Sequence, residues 1–205
     1  MLLPGSGSFA EDGEFAALLK ACIAGNNRAQ RSLFKQFFSY AKGVSLRYCS
    51  SYEEAEEVLN ESFLKVFQNL QKYDPALPFK AWLRTIVVNT AISYYRKNGK
   101  HQKDRITLED APLPGYDAHV IEKLTGEEII GLVQLIKPIY RTVFMLHAVE
   151  GYSHREIATL LEINEATVRS HYLRARARLQ HLVKQYYPDL FSKEWDVSSF
   201  KPNEN

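Results

Sequence analysis

"GYSHREIATLLEINEATVRSHYLRARARL", residues 151–179, holds two short segments of helical apolar spacing separated by a turn, and the second is loaded with arginine. Gly151 suits the close of a preceding helix, because glycine takes a left-handed backbone without steric cost. Ser153, followed three residues later by Glu156, has the spacing of a capping box, so a helix starts there. Ile157, Ala158, Leu160 and Leu161 give that helix a short apolar face. Glu162, Ile163 and Asn164 then read as a tight turn with one buried apolar residue, and a second helix begins at Asn164 or Glu165. On it Val168, Tyr172, Ala175 and Leu179 recur at steps of four, three and four, which places them on one face. Thr167, Arg169, Ser170, His171, Leu173, Arg174, Arg176 and Arg178 fall elsewhere. A short helix, a tight turn and a longer helix with a packing face make a helix-turn-helix pattern. The start of such a second helix can enter a major groove, where arginine pairs with guanine edges or neutralises phosphates. A helical hairpin with a solvated basic face satisfies the same pattern, so the rest of the chain has to decide between them.

The whole chain reads as helix. Apolar residues recur at three- and four-residue steps from Glu14 to Cys49, and Gly25-Asn26-Asn27 divides them into two helices. A third helix follows Ser51, a good N-cap, with acidic residues in the first turn to suit the helix dipole. Val58, Leu59, Phe63, Val66, Phe67 and Leu70 form its apolar stripe. The prolines of "DPALPFK" end it, and "AWLRTIVVNTAISYYRKNGK" is a fourth helix that closes near Asn98-Gly99. The periodicity fails over about residues 100–122, which carry Pro112, Pro114 and Gly115 and read as a flexible linker. A second helical unit starts near Thr125, breaks at Lys137-Pro138 and runs on into the opening stretch. From Pro188 onward the chain reads as a loosely ordered tail. The fold class is therefore all-α, with two helical domains over 14–100 and 124–185, a linker over 101–123 and a tail over 186–205.

Composition narrows the function classes. The chain has 205 residues, 45% hydrophobic and 24% charged, in the range of a soluble globular protein. No apolar run approaches the roughly 20 residues that span a bilayer, and the N-terminus reads as carrying no export signal. Cys22 and Cys49 are the only cysteines, too few for a metal framework; two buried thiols in a reducing cytoplasm are expected. The net charge of +2 hides strong patterning. Charged residues are all acidic from Glu53 to Glu61, basic from Arg84 to Arg105 except for Asp104, and wholly basic from Arg169 to Lys184. Two basic patches suggest two contacts with a polyanion, and the acidic run suggests a separate surface for a basic partner.

The motifs resemble a family. Pro138 and Arg141, Glu150-Gly151-Tyr152-Ser153, Glu156-Ile157-Ala158, Thr167-Val168-Arg169-Ser170 and Arg174-Ala175-Arg176 look like region 4 of the sigma-70 family of bacterial RNA polymerase sigma factors. Ala166 stands where that family usually has glycine, and His171 where arginine is common. The second resemblance discriminates more. Glu54 to Glu61, Phe63 to Val66, Phe79, Trp82-Leu83 and Asn89 follow, in order, the motifs of sigma region 2, with Asn60 in place of the usual glutamine. The short linker is similar to that of the extracytoplasmic-function (ECF) group.

What the resemblance implies can be stated residue by residue. The −35 promoter element would be read by Thr167, Arg169, Ser170, His171, Leu173, Arg174 and Arg176. The −10 element would be handled by Tyr73, Asp74, Phe79, Arg84, Asn89, Arg96 and Lys97, where aromatic rings, that of Trp82 among them, catch unstacked bases, an amide meets a base edge and cations, Lys100 among them, hold phosphates. Glu54, Glu57, Val58, Asn60 and Glu61 would bind the clamp coiled coil of the largest subunit of core RNA polymerase, with a second contact on the flap of the next-largest. Promoter DNA is the other partner, and the group leaves a place for an anti-sigma factor. No metal, cofactor or bond chemistry is expected, since no nucleophile–base pair, phosphate loop or metal box appears.

Two other classes fit part of the pattern. A stand-alone helix-turn-helix regulator would bind its operator tightly by itself, whereas a sigma factor binds promoters weakly until core polymerase is added. A helical carboxylate metalloenzyme could use Glu57 and Glu61, one turn apart, but no histidine lies at ligand spacing. His171, where it faces DNA, should strengthen phosphate contact when protonated below about pH 6.5.

Overall fold

A computed structural model describes residues 13–98 and 126–188, and among these the chain forms eight α-helices and no strand. The linker expected over 101–123, the helix start at Thr125, Lys100 and nearly all of the expected tail lie outside the described residues. The chain divides into two compact units, residues 1–104 and 105–205.

In the first unit, α1 (Gly13–Ile23) ends where Gly25 turns left-handed at φ 78°. Asn26 then caps α2 (Asn27–Leu46), its side chain accepting from the backbone N–H of Arg28 and Ala29 at 2.9 and 3.1 Å. Leu33, Phe37, Ala41 and Val44, three or four residues apart, are buried on one side of α2. Ser51 caps α3 (Tyr52–Asn69) by accepting from Glu54 N. The α3 stripe is as expected at Val58, Leu59, Phe63 and Val66; Phe67 is only half-buried, and Ala55 and Ser62 join the buried face. Ser62 is tolerated there because its hydroxyl donates to the Val58 carbonyl at 2.6 Å. After a 3-10 turn (Leu70–Lys72), Asp74 holds the loop by accepting from Ala76 N, and α4 (Phe79–Asn98) packs on α2 and α3. Phe15, Phe37 and Phe79 bring α1, α2 and α4 together, with ring centroids 4.7 to 6.0 Å apart. Each such buried side chain contributes about 2–3 kcal/mol. Cys22 and Cys49 are buried and form no disulfide, and burial raises the Cys22 thiol above its ordinary value.

In the second unit, α5 (Gly126–Gln134) is followed by α6 (Pro138–Ala148), which opens with Pro138 in its first turn. Arg141 is 1% exposed, the largest fully buried side chain in the described chain, and its guanidinium donates to Gln134 Oε1. Gly151, at φ 80°, closes the exit from α6. Ser153 and Glu156 form both halves of the capping box that starts α7 (His154–Leu161). Glu162 closes α7 in the left-handed conformation, φ 56° and ψ 43°. Asn164 caps α8 (Glu165–Tyr186). Val168, Ala175 and Leu179 bury the expected face of α8 against α6 and α7, Tyr172 is half-buried, and the face continues through Gln180, Leu182 and Val183. Ile163, expected to be the buried residue of the turn, is half-exposed, while Ile157, Leu161 and Val168 on the flanking helices are buried.

Candidate nucleic-acid and partner-binding faces

On α8, the residues expected to face DNA divide into two sets. Arg169 and Leu173 are exposed, Leu173 at 63%, and Thr167, Ser170 and Arg176 are half-exposed. Arg169, Leu173 and Arg176 lie within two helical turns along one side, clear of the buried stripe, with Ser170 at the edge of that side nearer Arg174. Arg169 is steadied by an ion pair with Glu165 one turn back, and the Arg176 guanidinium lies 5.9 Å over the Tyr172 ring. His171 and Arg174 turn the other way. The His171 ring lies 5.1 Å from that of Tyr140 on α6, and Arg174 Nη1 donates to the Tyr140 hydroxyl at 3.2 Å. Both are thus engaged within the domain, which the expectation of seven outward contacts did not anticipate.

On α4, Trp82, Asn89 and Arg96 recur at seven-residue steps and form one stripe, with Asn89 and Lys97 exposed and Trp82 and Arg96 half-exposed. Arg84 is not on it. Five residues before Asn89, it points about 140° away around the helix, and its Nε is closed off from solvent. Tyr73 and Phe79 are 8% and 2% exposed, so neither offers a ring face to a base. Burial raises the Tyr73 hydroxyl above its usual range, with the Asp74 carboxylate adding to it, and that hydroxyl donates to the Leu77 carbonyl. The aromatic group at this surface is Trp82, its ring 5.2 Å from Tyr73 and 5.6 Å from Phe79. Asp74 is exposed, but its side chain is committed to the loop backbone.

On α3, Glu57, Asn60 and Glu61 share an exposed face with Leu64, which is 57% exposed. Val58 is fully buried and offers nothing to a partner; its place in the apolar stripe decides its direction. Glu54 is half-buried and accepts from Ser50 N at 2.7 Å, so it holds the start of the helix. Glu61 is paired with Lys65 Nζ at 2.7 Å, and that Nζ also reaches Thr90 Oγ1 on α4 at 3.3 Å. The Tyr94 hydroxyl is raised above its usual value first by burial, then by its hydrogen bond to Glu57 and the Glu54 and Glu57 charges.

Residues 33–101 match the family model for sigma-70 region 2, and residues 126–179 match that for sigma-70 region 4. The chain belongs to the sigma-70 family. It falls in the ECF group of sigma factors: an ECF RNA polymerase sigma factor of Mycolicibacterium smegmatis is 27% identical over 75% of this chain and 61% of its own length. An ECF RNA polymerase sigma-E factor of Haemophilus influenzae is 26% identical over 82% of this chain and 94% of its own. The RNA polymerase sigma-H factor of Pseudomonas aeruginosa is 29% identical over 78% and 88%. Among solved structures, the sigma factor RpoE from Bartonella quintana, crystallised with the anti-sigma factor NepR, is similar at a TM-score of 0.43 and 21% identity, over 75% of this chain and 96% of that one. The region 2 match contains the α3 and α4 faces, and the region 4 match contains α6, α7 and the exposed side of α8. No helix among the described residues is long and apolar enough to cross a membrane, and no three histidine, cysteine or acidic side chains there gather as a metal site.

Proposed function

We propose that this sigma factor directs promoter-specific initiation through three faces. The exposed side of α8, with Arg169, Ser170, Leu173 and Arg176, reads the −35 element. The Trp82–Asn89–Arg96 stripe of α4, with Lys97, holds −10 bases as the strands separate. The α3 face of Glu57, Asn60 and Glu61 docks on the basic clamp coiled coil of core RNA polymerase, where complementary charge sets the orientation. The domain limits proposed are 14–100 and 124–185. The protein acts in the cytoplasm, by binding, and carries out no bond chemistry itself.

The observation that carries this reading is the presence on one chain of both family regions, each with a polar face left free by its own core. A stand-alone regulator has use for α8 but gives no account of the acidic face on α3. In vitro transcription with core polymerase tests it. Adding the protein should give initiation at defined start sites on genomic fragments, and DNA affinity should rise sharply when core is present. Tight operator binding by the isolated chain, with no polymerase-dependent initiation, would favour the regulator.

A further inference from the structure

Three rings come together where α6, α7 and α8 meet. His147, in the last turn of α6, has its ring centroid 4.4 Å from that of His154, with the planes 27° apart. Tyr172 of α8 closes the cluster, 4.6 Å from His147 and 5.5 Å from His154. His147 Nδ1 lies 2.7 Å from the Tyr152 carbonyl oxygen, which can only accept, so Nδ1 is the protonated nitrogen of the neutral ring.

His154 has a poorer setting for charge. It is the first residue of α7, at the positive end of the helix dipole. Its Nε2 is closed off from solvent and has no hydrogen-bond partner, so a proton added there would have no acceptor. From α6 it faces His147, and from α8 it faces Arg169, which opposes a positive charge, and Glu165, which favours one. Glu165 is already paired with Arg169. The Tyr172 ring already carries the Arg176 guanidinium 5.9 Å over one face. Burial first, then His147 and Arg169, keep the His154 imidazole below the usual histidine value, against the smaller pull of Glu165.

We propose that the stacked pair of His147 and His154 is an acid-sensitive latch that docks α7 on α6 and α8 while neutral and releases it when protonated. The sign follows from linkage. The unfolded chain takes up a proton at His154 more readily than the folded one, so stability rises with pH. The contribution is fully present above the ordinary histidine pKa of about 6.5 and is lost as pH falls from there toward the lower folded value. With α8 as the DNA-reading helix, acid then weakens −35 binding, the reverse of what added positive charge alone would do. That consequence rests on the proposed function; the latch does not.

The test uses the full chain with labelled histidine rings, titrated by NMR, and heat unfolding at constant ionic strength. The His154 resonances should titrate below the ordinary histidine pKa of about 6.5. Between about pH 7.5 and 5.5 the unfolding midpoint of the second unit should fall by several degrees. His154→Phe, which keeps an aromatic ring and removes the proton site, should abolish most of that fall, whereas His171→Gln should retain it. A fall that survives in His154→Phe, or a His154 midpoint at or above the ordinary histidine pKa of about 6.5, overturns the latch. Where His154→Phe does not fold, the wild-type titration decides alone. Neither readout uses promoter DNA or polymerase, so failure of the latch is distinct from failure of the proposed function.

Discussion

Arg174 on α8 donates to the Tyr140 hydroxyl on α6, 34 residues back along the chain, and so ties the arginine-bearing helix to the one beneath it. An arginine held this way contributes to where α8 sits rather than to the phosphates it could meet. Arg174→Ala should cost about 1.5–3 kcal/mol of stability in the second unit, the range for a hydrogen bond with a charged donor. It should leave the salt dependence of promoter binding by the polymerase complex unchanged. Arg169→Ala should do the opposite, lowering the slope of log affinity against log salt by about one while the unfolding midpoint holds. Equal slopes for the two variants would show that Arg174 swings out to the DNA.

The α4 stripe predicts a separation between Asn89 and Arg84. Asn89 is exposed in line with Trp82 and Arg96, so Asn89→Ala should remove a base contact and little stability. Loss of one good amide–base pairing costs about 1–3 kcal/mol, or roughly tenfold in promoter opening. Arg84→Ala should leave opening nearly unchanged, because Arg84 lies on another side of the helix. Permanganate reactivity of unpaired thymines around the start site, followed over time, measures both.

On α3, the exposed acids and the buried valine should fail in different ways. Glu57→Lys or Glu61→Lys should weaken core polymerase binding by tenfold or more, since a like charge then meets a basic surface. Either should leave heat unfolding within a few degrees of the parent. Val58→Ala should cost about 2 kcal/mol of stability through the cavity it leaves, with affinity for core unchanged at temperatures where the unit stays folded. Loss of core affinity in folded Val58→Ala would place a contact beside it.

Much of this was legible because helical spacing constrains direction. The stripe on α3 and the packing face of α8 follow from steps of three and four residues, and Ser51, Ser153 and Asn164 follow from capping chemistry. The same spacing also shows where motif reading overreaches. Val58 cannot belong both to the apolar stripe and to a partner surface, and the core keeps it. Arg84 joins the basic run when charges are counted along the chain, but helix angle removes it from the Asn89 face. What was not legible depends on distant partners. Nothing near Arg174 announces the Tyr140 hydroxyl, and nothing near Arg141 announces that Gln134 will take its charge inside. The histidine pair is likewise invisible along the chain, since His147 and His154 meet only after Gly151 turns the backbone.

Glu162 holds a strained backbone in the turn between α7 and α8. It closes α7 at φ 56°, where a β-carbon crowds the following carbonyl at a cost of roughly 1–2 kcal/mol. The turn is nonetheless well bonded along its backbone: Ile163 N reaches the Ala158 carbonyl at 3.1 Å. Glu162→Gly removes the strain and returns only part of it through a freer unfolded chain. It should stabilise the second unit by about 1 kcal/mol, raising its unfolding midpoint by several degrees. Glu162→Ala keeps the β-carbon and should bring no such gain, which separates backbone strain from loss of the carboxylate. Promoter affinity of the polymerase complex should be unchanged in both, because the turn holds α8 in the same register. A lower midpoint in Glu162→Gly than in Glu162→Ala would mean that glycine's entropy outweighs the strain at this turn.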